Sequence, residues 1–206
     1  MATFPHLIAE ERQPTSDFLI IPKVSSENRN YIPIGFMTKD IIVTDKTFYV
    51  PNATIFLFGI LSSQMHMAWM RYTCMRLKSD YSYSNTIVYN NYPFPENTPL
   101  SQKQKVETAA QAVLDIRKNY TSPPQSPQKG EVKSLADLYD PLSMPPDLKA
   151  AHDVLDKAVD ECYEKTKFTS DAKRVGYLFE LYDGLVKGEK EKMMSNRNEL
   201  SIKTAK

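Results

Sequence analysis

The chain has 206 residues, 41% of them hydrophobic, which is enough for one domain or two small ones with a buried core. Its 26 basic and 25 acidic residues give a net charge of +1, so the composition excludes a polycation that binds nucleic acid by charge alone. The longest apolar run, 55–61, is far shorter than the ~20 residues that span a bilayer, and no secretory signal is visible. We therefore expect a cytoplasmic protein without a membrane partner.

Short β-prone runs separated by turn residues occupy the chain as far as Pro95. These runs are 18–24, 31–36, 41–44, 47–50 and 86–89. Pro22 and Pro33 are expected at strand ends or on a sheet edge, because proline cannot donate a hydrogen bond to a neighbouring strand. Between residues 55 and 76, apolar side chains recur at three- and four-residue steps, which predicts a helix within this part.

After Pro95 the apolar spacing is helical. Residues 102–120 form an amphipathic segment whose apolar stripe ends at Arg117 or Tyr120, and the proline-containing stretch 121–133 is predicted to be a loop. A second striped helix opens at Pro145-Pro146, and a third begins after Ser170, a suitable N-cap.

The change of pattern near Pro95 predicts an α+β fold in two parts. Residues 1–95 are expected to form a domain of mixed strands and helices, and residues 96–187 an all-helical domain. Residues 188–206 lack a hydrophobic period and are predicted to be a disordered polar tail.

The histidines and cysteines do not have the spacing of a metal or catalytic centre. His6, His66 and His152 are scattered, without a CxxC or HExxH pattern. His66 and His152 are predicted to be core histidines bonded to neighbours. Cys74 and Cys162 are far apart and are interpreted as small buried residues in a reducing compartment.

Other catalytic patterns are also missing from the sequence. There is no G-x-S-x-G nucleophile motif and no glycine-rich phosphate loop. Four carboxylates alternate with lysines, which is typical of a solvated helix face: Asp153, Asp156, Asp160 and Glu161. We therefore predict no catalytic residue and no metal ligand in this chain.

A first polar segment, residues 23–31, carries side chains suited to nucleic-acid recognition. Asn30 is the candidate for a bidentate contact with adenine, and basic and hydroxyl side chains suit phosphates. The phosphate candidates here are Lys23, Ser25, Ser26 and Arg29. A polar hairpin turn would have the same composition, so that interpretation stays open.

A second polar segment contains Lys78 and Asp80, two residues apart. On an extended backbone both side chains would point to one face, where the lysine could donate to guanine and the aspartate accept from cytosine of one G·C pair. Tyr81 is a further base-contacting candidate, and Arg71 and Arg76 are assigned to phosphates. The alternative is a solvent-facing strand with a weak Lys–Asp ion pair.

Several collinear blocks resemble the MmeI-like DNA methyltransferases, which are large restriction–modification enzymes. The most specific block is Val24 to Phe36, VSSENRNYIPIGF. Similar blocks follow at 57–69, 83–95, 136–145, 151–159 and 170–182, and the resemblance spans roughly residues 10–187.

The resemblance implies a target recognition domain in residues 1–95 followed by the family's C-terminal helical domain. The S-adenosylmethionine site, the catalytic Asn-Pro-Pro-Tyr motif and, in some members, a nuclease would lie outside these residues. The chain would then have no cofactor of its own and no activity alone. Its implied partners are double-stranded DNA and a methyltransferase catalytic domain, in the same or a separate chain. Lys78 and Asp80 match a position where family members carry different charged pairs, which suits a specificity determinant.

Two other classes of function stay open from sequence alone. The amphipathic helices after Pro95 could dock a methyltransferase or nuclease subunit without any contact to bases. An autonomous enzyme would need a bound cofactor, for which no sequence motif is present.

Overall fold

The computed structural model describes residues 13–121, 132–163 and 168–203, with side chains described as far as residue 188. The strands in these ranges are β1 (Phe18–Pro22), β2 (Val24–Ser25), β3 (Gly35–Met37), β4 (Thr47–Pro51), β5 (Met75–Leu77) and β6 (Asp80–Ser82). They form two antiparallel sheets of three strands, ordered β3-β1-β4 and β2-β6-β5.

Helices dominate the second part of the chain. The α-helices are α1 (Ile55–Leu61), α2 (Gln64–Thr73), α3 (Leu100–Thr121), α4 (Leu135–Leu138), α5 (Pro146–Tyr163) and α6 (Asp171–Lys203), and a π-helical turn spans Asn85–Tyr89. The α+β fold class followed by a helical part is thus as predicted. No described helix is long and apolar enough to cross a bilayer.

The strand predictions were partly correct. Strands occur at Phe18–Pro22 and Thr47–Pro51, and Pro22 closes its strand as expected. Within 31–36, only the last two residues belong to a strand. The strand predicted at 41–44 was wrong, because the Gln13 side chain occupies the backbone groups of Val43. Gln13 Nε2 donates to the Val43 carbonyl at 3.2 Å, and the Val43 N–H donates to Gln13 Oε1 at 2.9 Å.

The helix predicted at 55–76 is broken at Ser62 and Ser63. The Ser63 hydroxyl donates to the Ile60 carbonyl at 2.7 Å, and its oxygen accepts from the His66 N–H at 3.4 Å. A serine hydroxyl competes in this way with the helical backbone bonds, so one helix ends and the next begins here. The prediction also extended too far, since residues 75–77 form β5.

The strand predicted at 86–89 is instead the π-helical turn Asn85–Tyr89. Its β-branched residues favour a strand by composition, but Ser84 caps the turn by accepting from the Ile87 N–H at 3.3 Å. The Val88 carbonyl accepts from the Trp69 indole N–H at 3.0 Å, and Val88 is fully buried. This segment therefore forms a helical turn that packs against α2, where the sequence predicted a strand.

The three long helices lie close to their predicted positions. The Ser170 hydroxyl oxygen accepts from the Lys173 N–H at 3.3 Å, as expected of an N-cap. Helix α6 continues to Lys203, through most of the segment for which the sequence predicted a disordered tail. Most of the predicted loop, residues 122–131, lies outside the described residues.

One hydrophobic core connects the strands and the helices. It includes Leu19 of β1, Phe58 of α1, Val106 of α3 and Leu155 of α5. A Cβ on Gly59 would lie 2.8 Å from Val106 Cγ1, so α1 and α3 approach more closely than a side chain allows. The division into domains near Pro95 stays a prediction, since both sides contribute to this core.

We expect Gly59→Ala to lower the free energy of unfolding by ~1–3 kcal/mol, because the new methyl group overpacks the α1–α3 contact. Gly176→Ala in α6 is the matched control, since its Cβ would meet nothing within 4 Å. It should raise the free energy of unfolding by up to ~1 kcal/mol through helix propensity. Urea denaturation measures both, and equal effects of the two substitutions would contradict the close approach.

Candidate nucleic-acid interface

The first polar segment follows the end of β1 and contains β2. The Lys23 ammonium lies 4.7 Å from the Phe48 ring centroid, and Ser25 is buried. The Ser26 hydroxyl oxygen accepts from the Asn28 N–H at 3.4 Å, which forms a turn. Of the two serines, only Ser26 retains surface exposure.

The end of this segment is held by longer-range contacts. Arg29 Nη2 donates to the Ala136 carbonyl at 3.4 Å, and the Asn30 carbonyl accepts from Gln64 Nε2 at 3.3 Å and from Arg71 Nη2 at 3.0 Å. The backbone of Asn30 is thus fixed while its side chain is exposed to solvent.

Lys78 lies in a tight turn and Asp80 begins the strand that follows it, so the two do not share one strand. Strands β5 and β6 form a hairpin in which Leu77 pairs with Asp80, so Lys78 and Ser79 form the turn. Lys78 has a φ of 57°, in the left-handed region. The argument from an extended backbone was therefore wrong. Lys78 is exposed at the tip, Asp80 is half-buried beside it, and their contact with bases stays a prediction.

The two faces of the β2-β6-β5 sheet differ in exposure. Ser25, Tyr81 and Arg76 are paired across the strands, so their side chains share one face. Tyr81 is only 6% exposed, and the Arg76 guanidinium lies 4.4 Å from its ring centroid. Tyr81 therefore lies on the covered face, away from the exposed tip.

Arg76 also supports the hairpin turn itself. Its Nη1 donates to the Ser79 carbonyl at 2.9 Å and lies 3.5 Å from a Glu27 carboxylate oxygen. The side chain keeps nearly half of its surface exposed, so a further contact with an anion remains sterically open.

Arg71 is engaged inside the molecule. Its Nη1 lies 2.7 Å from Asp171 Oδ2 and 3.1 Å from Gln64 Oε1, in addition to the bond to the Asn30 carbonyl. The side chain thereby ties α2 to the start of α6 and to the first polar segment. Its assignment to a phosphate stays a prediction.

A buried carboxylate lies beneath this surface. Asp156 of α5 is 8% exposed and accepts from the Tyr31 hydroxyl at 2.7 Å and from the Gln64 backbone N–H at 2.8 Å. Burial raises the pKa of Asp156 to about 7, against the lowering effect of these hydrogen bonds.

The prediction of a solvated acidic face was wrong for Asp156 and for Asp160. Asp160 is also buried, and its two carboxylate oxygens accept from Arg174 Nε at 3.0 Å and Nη2 at 2.6 Å. The alternation of charges along α5 could not reveal this, because the partner Arg174 belongs to the next helix.

Both predicted core histidines are confirmed. His66 Nε2 lies 3.0 Å from the Tyr83 hydroxyl, and His152 Nε2 lies 2.7 Å from the Tyr139 hydroxyl. Burial lowers the pKa of His66 to about 3. Burial, followed by the nearby charge of Arg117, lowers the pKa of His152 well below its ordinary value. Both rings are therefore neutral at physiological pH.

Arg117 is a buried cation whose role the sequence did not reveal. Its Nε donates to the Tyr139 hydroxyl at 2.6 Å and its Nη1 to the Ile34 carbonyl at 2.6 Å. Its guanidinium lies 5.0 Å from the Phe58 ring centroid. The available signal was its place on the apolar stripe of the predicted helix.

The cysteines and carboxylates provide no metal cluster in the described ranges. No group of three or more His, Cys, Asp or Glu residues there could hold a metal ion, and Cys74 and Cys162 are free and half-buried.

The raised pKa of Asp156 predicts a specific pH dependence. The pKa of Asp156 in the folded chain exceeds the ordinary value of 3.8. Between ~pH 4 and ~pH 7 the folded chain therefore keeps a proton on Asp156 that the unfolded chain has already lost. The Asp156 contribution to stability therefore falls as pH rises through that interval. We expect the unfolding free energy of the wild type, relative to Asp156→Asn, to fall by on the order of 2 kcal/mol between pH 5 and pH 8.

Urea denaturation at both pH values measures this difference. Asp153→Asn, on the exposed face of the same helix, controls for loss of a carboxylate from α5. A difference between wild type and Asp156→Asn that does not change with pH would contradict the buried state of Asp156.

The two candidate cations Arg71 and Lys78 should differ in their effect on stability. Arg71→Ala should lower the free energy of unfolding by ~1–2 kcal/mol, because Asp171 and the Asn30 carbonyl lose a donor. Lys78→Ala should change it by less than ~0.5 kcal/mol, since an exposed turn side chain has little to lose. Thermal and urea denaturation test both, and the reverse order would refute the internal role of Arg71.

Known proteins share both parts of this chain. Residues 1–96 match the family described as "MmeI, target recognition domain", and residues 98–189 match "MmeI, C-terminal domain". DNA methyltransferase A of Bacillus subtilis (strain 168) is 38% identical over 182 residues, which cover 88% of this chain and 19% of that protein.

A solved structure agrees with the sequence comparison. The type IIL restriction–modification enzyme MmeI, in complex with DNA, superposes with a TM-score of 0.76 at 42% identity, over 85% of this chain and 22% of that one. The chain thus spans about a fifth of the length of these relatives. It belongs to the MmeI family, in which it corresponds to the target recognition domain and the C-terminal domain.

Proposed function

We propose that this chain is the sequence-specific DNA-recognition part of a restriction–modification adenine methyltransferase. It binds double-stranded DNA through its first part and positions it for a catalytic domain in the same or a separate chain. S-adenosylmethionine is expected to bind that catalytic domain rather than these residues. The proposal rests on the β5–β6 hairpin, which exposes Lys78 at its tip beside Asp80 within the part that matches the target recognition domain.

A hairpin of this shape suits the major groove of DNA. The groove is about 12 Å wide and admits a two-stranded β-ribbon. From the tip, the Lys78 ammonium would donate to guanine O6 and N7, and the Asp80 carboxylate would accept from cytosine N4. The exposed side-chain amide of Asn30 would make a bidentate contact with adenine N6 and N7.

Phosphate contacts would come from the basic side chains around the hairpin. Lys23, Arg29 and Arg76 lie in or next to the β2-β6-β5 sheet, and Ser26, which follows β2, keeps part of its surface exposed. Ser25 is buried and Arg71 is already paired with Asp171, so these two would act by supporting the loop. A net charge of +1 supplies little affinity, so the catalytic domain would contribute further DNA contacts.

A second candidate function is docking of a methyltransferase or nuclease subunit without base contacts. An open groove of about 620 Å³ between α3 and α5 favours it, since Ala112 and Val154 line the groove and Val154 is exposed. The two functions differ in whether the hairpin determines which duplex is bound.

The sharpest test exchanges the charges at the hairpin. Lys78→Glu combined with Asp80→Arg should change or abolish the preference at one base pair, with ~1–3 kcal/mol lost for each bidentate contact. The measurement is selection of bound duplexes from a random-sequence pool, followed by sequencing.

Lys149→Glu combined with Asp153→Arg is the matched control, because it exchanges an exposed ion pair of α5. It should leave the preference unchanged. If the hairpin variant selects the same sequences as the wild type, Lys78 and Asp80 do not contact bases. The selection is carried out with the chain alone and with the chain joined to the catalytic domain. If the wild type enriches no sequence in either form, the proposal fails.

A further inference from the structure

We propose that Leu77, assisted by Met75, contacts the C5-methyl group of a pyrimidine in the major groove, next to the G·C pair assigned to Lys78 and Asp80. The inference rests on the proposed function and extends it, because it adds a methyl-bearing base to what the hairpin recognises. We take thymine as the source of the methyl group, and 5-methylcytosine presents the same chemistry.

The register of the sheet places apolar side chains on its uncovered face. Val24 pairs with Ser82, and Ser82 pairs with Met75, so these three lie in one row on the face opposite Tyr81. Leu77 lies two residues beyond Met75 and therefore points to the same face, directly across from Asp80.

These apolar side chains are unusually exposed for a paired strand. Val24 is 42% exposed, Met75 62% and Leu77 56%, whereas Tyr81 and Ser25 on the other face are buried. A single exposed aliphatic side chain is ordinary, but neighbouring ones on one sheet face indicate a surface that a partner covers.

The shape of the hairpin favours a DNA groove as this partner. Among the described residues, strand β2 pairs with Tyr81 and Ser82 only, so the row formed by Leu77 and Asp80 is two-stranded there. Only this end of the sheet has the width that the major groove admits. Leu77 is therefore the principal contact, with Met75 one row further from the tip.

The charges at the hairpin also complement DNA. Lys78 lies at the turn next to Leu77, while Asp80 is the only acidic residue of the two strands and their turn. Arg76 lies on the opposite face, over the Tyr81 ring. An apolar surface beside the Lys78 cation suits a duplex, whose phosphates flank methyl groups on the groove floor.

The spacing links Leu77 to a base pair beside the one assigned to Asp80. Residues directly opposite each other in an antiparallel pair have Cβ atoms ~4.5–5.5 Å apart. Successive base pairs are separated by about 3.4 Å along the axis. With Asp80 at a cytosine amino group, the Leu77 side chain would therefore lie over the adjacent step, where a thymine presents its methyl group.

Replacement of thymine by deoxyuridine removes the methyl group and leaves every hydrogen-bonding atom in place. In duplexes selected by the full chain, we expect one thymine next to a G·C pair at which this replacement weakens binding about fourfold, the effect of one buried methyl-sized group. Leu77→Ala should bind the thymine and deoxyuridine duplexes with equal affinity. That affinity should match the affinity of the wild type for the deoxyuridine duplex. Leu142→Ala, at a fully exposed position, is the control.

A third duplex carries 5-methylcytosine in place of each cytosine near this position, and distinguishes the two sources of the methyl group. Tighter binding to it, with no response to deoxyuridine, would overturn thymine as the source. Sequence-selective binding without response to either base would overturn the inference and leave the proposed function standing.

Two further outcomes are decisive. A duplex preference that responds to deoxyuridine but not to Leu77→Ala would assign the methyl contact to another residue and refute the inference. If Leu77→Ala instead weakens association with a separately expressed catalytic domain, and the deoxyuridine response stays, the face binds protein and the inference fails. Failure of the wild type to select any duplex, even when it is joined to the catalytic domain, would refute both proposals.

Discussion

The carboxylate of Asp156 accepts hydrogen bonds from two places in the first part of the chain, the Tyr31 hydroxyl and the Gln64 backbone N–H. A carboxylate removed from water is costly unless its oxygens are bonded, so each donor must stay where it is. The first bond fixes the end of the first polar segment, and the second fixes the start of α2. A single side chain of α5 thereby sets the position of both elements that precede the β5–β6 hairpin.

The remaining polar contacts extend this arrangement toward the surface. Arg71 connects the start of α6 to the Asn30 carbonyl, and Arg76 covers Tyr81 and bonds the hairpin turn. These bonds hold the hairpin on the side of Tyr81, while Lys78 and Leu77 are exposed to solvent. A rigid support of this kind suits base recognition, because a bidentate contact tolerates little displacement of its donor.

Sequence periodicity predicted those elements that local patterning determines. The helices α3 and α5 and the strands β1 and β4 follow their apolar spacing closely. The errors arose where a side chain distant in sequence bonds the backbone, as Gln13 does at Val43, or where a serine hydroxyl interrupts a helix, as at Ser63. Asp156 was misassigned for a related reason, since its burial depends on Tyr31, 125 residues away.

The buried chain of Arg117, Tyr139 and His152 has a fixed direction. A guanidinium can only donate, so the Tyr139 oxygen accepts from Arg117 and directs its own proton to His152 Nε2. The imidazole must then carry its proton on Nδ1, and a second proton on Nε2 would place two donors face to face. The Tyr31 ring stacks on this imidazole at 4.0 Å between centroids. The His152 ring, on which Tyr31 stacks, is therefore held in one tautomer. As the pH falls, Asp156 is protonated before His152.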